Sequence, residues 1–219
     1  MAKEEYMKRY SLLVISQFVN ALGVVLITKA LLGTSPISSL PYVISIFTPF
    51  TLGEFTFIQN MVFILIEVAV MGWQNFNLKR GEILIQIPLV LFFSFSIDLC
   101  MHMFAGLNLV HYTHQFACLL IGCILLGTGI GWAVKANVAM NPGEYVVRVI
   151  ANRLQREFGV VKMWFDITLV SLACLVSLLF MHNFSGVREG TLISALLVGP
   201  IVRFTTPYWR FMDKWLFVH

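Results

Sequence analysis

The chain has 219 residues, of which 58% are apolar and 12% charged, with a formal net charge of +4; its mean hydropathy is +0.83. That balance excludes a soluble domain and gives no footprint for nucleic acid. It points to an all-α polytopic membrane protein, a single membrane domain over 1–219, in which basic residues report topology.

The N-terminal MAKEEYMKRY leads straight into the first apolar stretch, 10–30, with no small-residue cleavage site between them, so this span is expected to be retained. Further spans are expected at 55–73, 83–104, 116–134, 163–181 and 191–204. Most approach the ~20 residues a helix needs to cross the hydrocarbon core, and the last is the shortest. All run continuously apolar, which argues against the alternating strands of a barrel.

Two short segments break this series, 37–48 and 143–158. The first is too short to span, and the second carries Glu144, Arg148, Arg153, Arg156 and Glu157. Both are expected to be non-crossing or re-entrant helices. Six crossings then put both termini on one side. Every lysine and arginine except Lys29 and Arg188 falls on that side or at its edge, so that side is expected to be cytoplasmic. The tail, 208–219, is expected to lie on that membrane surface.

The chain also repeats itself. GVVLITKALLGTSP, starting at Gly23, aligns without a gap on GIGWAVKANVAMNP, starting at Gly129. Lys29 meets Lys135, Pro36 meets Pro142, Gly53 meets Gly159, and Asn60 meets Asp166. The first repeat covers 8–105 and the second 114–207. Each holds three crossings, an odd number, so the two units would insert upside-down relative to one another. Interrupted helices in an inverted repeat are a transporter architecture. Gly23 and Gly129 mark where the first spans of the two units should cross.

The break has readable chemistry. Ser35-Pro36 and Asn141-Pro142 each read as an N-cap followed by proline in the first turn. A helix starting there offers free N–H groups and partial positive charge. Lys29 and Lys135 precede the caps at one spacing, which suits an anionic solute; the alternative is that both snorkel at span ends. Substrate-binding candidates are therefore Lys29, Ser35, Lys135, Asn141 and Glu144, with Asn60 and Asp166 nearby; that pair is expected to contact the solute, to pair with Lys135 or Lys29, to relay a proton, or to act as glue between helices. Glu67 is the coupling-ion candidate.

Other chemistry is not signalled. Cys100, Cys118, Cys123 and Cys174 sit inside spans without metal-ligand spacing and read as packing residues. Asp98 and His102 share a helical face but lack a second ligand pair, so no metal is expected. No nucleophile–base pattern or cofactor motif is present, and no enzyme is expected.

The span leading into Lys29-Ala30, with Gly33-Thr34-Ser35-Pro36, its second copy from Lys135-Ala136 to Asn141-Pro142, and Gly190-Thr191-Leu192-Ile193 with Gly199-Pro200 resemble the YczE/YyaS/YitT family of bacterial integral membrane proteins, over roughly residues 8–205. The YczE-like branch is nearer, since the chain lacks the added cytosolic domain of many YitT-like members. Gly81-Glu82 departs from the Gly-Thr start. The resemblance implies a bacterial inner membrane and a transport-like scaffold, without a substrate. The expectation is a secondary transporter of a small polar, anionic solute. The alternative is an accessory or scaffold protein that docks a partner, or a second copy, through Arg148, Arg153, Arg156 and Lys162.

Overall fold

The computed structural model describes residues 3–183 and 186–208. Among these there are eight α-helices and no strand: α1 Lys3–Lys29, α2 Ser39–Phe47, α3 Leu52–Met71, α4 Trp73–Met103, α5 Tyr112–Ala136, α6 Pro142–Leu154, α7 Phe158–Met181 and α8 Glu189–Tyr208. A 3-10 turn, Pro36–Ser38, leads into α2. Five helices are long and apolar enough to cross a membrane: α1, α3, α4, α5 and α7. That marks the chain as membrane-embedded. The sixth expected span falls in α8, a 20-residue helix that is not among the five. The expected tail lies outside the described residues, apart from Tyr208.

α2 and α6 are too short to cross. At 1.5 Å per residue, the nine residues of α2 and the 13 of α6 reach only about 14 Å and 20 Å, against a ~30 Å core.

Local sequence sets the helix ends. α3 starts with a capping box: the Glu54 N–H donates to Thr51 Oγ1 at 3.0 Å, and the Thr51 N–H donates to Glu54 Oε2 at 2.9 Å. Asp98 of α4 reinforces it, accepting from the Thr51 hydroxyl at 2.7 Å and the Gly53 N–H at 2.8 Å. This use of Asp98 is structural. Among the described residues no group of three metal-ligating side chains occurs.

α1 and α5 end alike. Each passes into a left-handed residue, Leu31 at φ 61° and Asn137 at φ 48°. These positions are equivalent in the repeat. Asn tolerates that conformation, whereas Leu does so at a cost.

α1 and α5 form the centre. A Cβ on Gly23 would stand 2.5 Å from the Leu126 backbone N, one on Gly129 2.3 Å from Asn20 Oδ1, and one on Gly122 2.7 Å from Ile27 Cγ1. Residue 20 thus lies opposite 129, 23 opposite 126 and 27 opposite 122. The two helices are antiparallel and cross where small residues let their backbones meet.

The other pairings follow. α4 runs parallel to α1, since Leu13 clusters with Leu89, and Ala21 and Val25 with Ile97 and Cys100. α8 runs parallel to α5: Gly190 abuts Leu32 beyond the end of α1, and Gly127 abuts Ile201. The short helices pack crosswise, α2 on α7 and α6 on α3. Phe47 stacks on Phe180 at 5.0 Å.

Candidate functional site

The two chain breaks open onto one cavity of about 400 Å³. Ser35 and Pro36 line it from the first break, and Asn141 and Pro142 from the second. Their first turns touch: a Cβ on Gly143 would overlap Ile37 Cδ1. Ile37 and Gly143 are equivalent positions, so the breaks meet at the centre of the duplication.

Ser35 and Asn141 occupy N-cap positions with extended backbone and proline following, as expected. The expected capping hydrogen bonds are not made. The Ser35 hydroxyl donates to Ser38 Oγ at 3.0 Å, and Asn141 makes no side-chain cap bond. Proline supplies the helix-compatible φ at both starts, so the helices begin without a side-chain cap. In the first turn of α6, Pro142 has no N–H, and the Glu144 and Tyr145 N–H groups both donate to the Asn141 carbonyl, at 3.0 and 2.9 Å.

α3 and α7 supply matching pairs one helical turn apart. On α3, Asn60 Nδ2 donates to the Thr56 carbonyl at 2.8 Å. On α7, at the equivalent positions, the Lys162 ammonium pairs with the Asp166 carboxylate. All four residues line the cavity. Asp166 thus pairs with Lys162, and not with Lys29 or Lys135 as expected. The reason is local: Lys162 is one turn away on the same face. Lys162 was counted with the basic face in the sequence reading; instead it belongs to the cavity.

Glu144 also lines the cavity. Arg148, one turn further along α6, donates to Met140 Sδ at 3.2 Å. Burial pushes the Glu144 carboxyl above the ordinary carboxylate range, with Lys162 pulling it back down and Asp166 pushing it up.

Lys29 and Lys135 are not among the cavity residues. The α1–α5 register places Lys29 opposite residue 120 and Lys135 opposite residue 14, so roughly 22 Å of helix axis separates them. No small solute touches both. Glu67 is also outside the cavity; it is fully buried on α3, two turns beyond Asn60.

Two residues missing from the expected site line the cavity beside the others. Asn20 of α1 is 1% exposed, and neither amide atom has a partner among the described residues. Gln59 of α3 donates to the Ile37 carbonyl at 2.8 Å and leaves its Oε1 unpartnered. The signal for Asn20 was an amide inside an otherwise apolar span. The remaining wall is apolar, with Val24, Phe93, Leu126 and Val198 prominent. The arrangement can bind a small solute through hydrogen bonds and one unshared carboxylate. Among the described residues no group of three metal-ligating side chains lines it.

The chain belongs to the family of unknown function DUF6198. The family profile matches residues 7–207, which hold the whole cavity lining and all of the helices but the first residues of α1 and the last of α8. No curated protein and no solved structure matches the chain. DUF6198 membership thus carries no activity with it, and the functional reading rests on the site.

Proposed function

We propose that this protein is a secondary transporter of a small polar solute, built from two inverted repeats of three crossings each, with α8 as the sixth. One observation carries the reading: both repeat breaks, Ser35-Pro36 and Asn141-Pro142, line the same cavity. Discontinuous helices meeting at a binding pocket between two halves are what alternating access uses. The antiparallel α1–α5 pair, flanked by parallel α4 and α8, supports the inverted arrangement. The sequence resemblance to the YczE/YyaS/YitT family, and with it a bacterial inner membrane and cytoplasmic termini, belongs to the same proposal.

The anionic preference read from Lys29 and Lys135 gives way. The charged residues lining the cavity are Glu144, Lys162 and Asp166, a formal excess of one negative charge. The rival reading, a scaffold docking a partner through its basic face, retains Arg148, Arg153 and Arg156, all exposed on or just beyond α6.

The test is binding and flux with purified protein. Small solutes are screened by thermal stability in detergent, and those that bind are followed into proteoliposomes. Flux in the wild type that disappears in Asp166→Asn supports transport. Loss of function in Arg153→Glu with an unaffected Asp166→Asn would support the scaffold instead.

A further inference from the structure

Lys162 and Asp166 satisfy each other in the cavity. The Glu144 side chain lines the cavity, half-buried, with no hydrogen bond or ion pair among the described residues. An unshared carboxylate inside a membrane-embedded protein is costly unless something joins it. The amides of Asn20 and Gln59 line the same cavity, but their unpartnered oxygens are closed off from it, Asn20 Oδ1 being turned to Gly129 of α5.

We propose that the cavity takes a small solute with a cationic, hydrogen-bond-donating head, a primary ammonium, seated on Glu144, with its apolar remainder against Val24, Phe93, Leu126 and Val198. This rests on reading the same cavity as the transport site and names the class of solute. An ammonium carries a positive charge with three donors and no acceptor, which matches an unshared carboxylate in a cavity whose other two charged side chains, Lys162 and Asp166, already pair. An anion would meet Glu144 unshielded, because Lys162 is already engaged. A neutral solute would leave the carboxylate without a counter-charge.

The proposal carries a pH signature. The charged groups facing Glu144 are Lys162 and Asp166, both from α7. α1, α3 and α8 present Asn20, Gln59, Asn60 and Ser194, which do not titrate in the accessible range. Because burial holds the Glu144 carboxyl up, proton and ammonium compete for it. Below its titration the carboxyl is neutral and cation binding is weak; above it the carboxylate is free and binding is strong.

The experiment uses the full chain in detergent and a matched four-carbon series: butylammonium, butyrate and butanol. Butylammonium is expected to raise the melting temperature by several degrees, more at mildly alkaline than at mildly acidic pH. The isosteric Glu144→Gln variant is expected to fold and to lose the shift. Stabilisation by butyrate in its place, no shift from any of the three, or a shift that survives in Glu144→Gln overturns the proposal. Proteoliposomes separate this from the transport reading. Butylammonium that binds through Glu144 but enters no faster than into protein-free vesicles leaves the cation site standing and removes transport. Butyrate that binds and crosses does the reverse.

Discussion

Lys162 and Asp166 lie one turn apart on α7 and are each less than a third exposed. Removing one partner strands the other in a poorly solvated place. Asp166→Asn is therefore expected to destabilise the protein by about 1–3 kcal/mol. The double change Lys162→Met with Asp166→Leu should recover much of that loss, because it strands nothing. Unfolding of single and double variants in detergent checks this; strictly additive losses would mean the pair contributes nothing. Asp98 makes a contrasting case. It holds the start of α3 through Thr51 and Gly53 and is not among the residues lining the cavity. Asp98→Ala should cost about 1–2 kcal/mol, as loss of a helix cap does. Butylammonium should still shift its melting temperature.

At the scale of helices, close approach at Gly23 and Gly129 holds the centre. A methyl group on Gly23 meets the Leu126 backbone, which cannot swing aside, and one on Gly129 meets the Asn20 side chain and, at 3.0 Å, its backbone N. Gly23→Ala and Gly129→Ala are expected to destabilise by about 1–3 kcal/mol. Gly199→Ala on α8 meets nothing within 4 Å and should be neutral or stabilising by up to about 1 kcal/mol, the helix propensity difference. Melting curves of the three variants decide it; equal behaviour would deny the crossing. These elements were largely legible beforehand. Continuous apolar runs gave the spans, and Pro36 and Pro142 gave the starts of the turn before α2 and of α6. The left-handed exit at Leu31 was not legible, because nothing in a leucine announces it. Lys162 was misread because a lysine near Arg148, Arg153 and Arg156 resembles a solvated face. Its spacing to Asp166, and their equivalence to Thr56 and Asn60, was the available clue.

At the scale of the whole molecule, the lysines show how a repeat misleads. In the antiparallel α1–α5 pair, residues at the repeat offset meet only near the crossing glycines. Ile37 and Gly143 touch beyond the ends of these helices, and Ser35 and Asn141 share the cavity. Lys29 and Lys135 recur at one spacing but sit toward opposite ends of α1 and α5. Recurrence marked the fold of the break, and distance from the crossing glycines decided what reached the cavity. The proposed six crossings make a direct claim about faces. Single cysteines near Lys79 and near Arg188 should differ in labelling from outside, with only the second reacting; labelling at both or at neither would end that topology.

The contact between Ile37 and Gly143 gives the strongest test of movement. If the halves rock about the cavity, these first turns must slide past or part from each other. Replacing both residues with cysteine removes the Ile37 side chain that fills the space and puts two thiols across the gap, close to the separation a disulfide requires. In a background lacking Cys100, Cys118, Cys123 and Cys174, oxidation should join the turns and stop flux, and reduction should restore it. Binding should survive, since Glu144 and the Lys162–Asp166 pair are untouched. Flux that continues through the joined turns would mean that the breaks are fixed features of the scaffold and that any movement lies elsewhere, in α4 or α8 at the flanks.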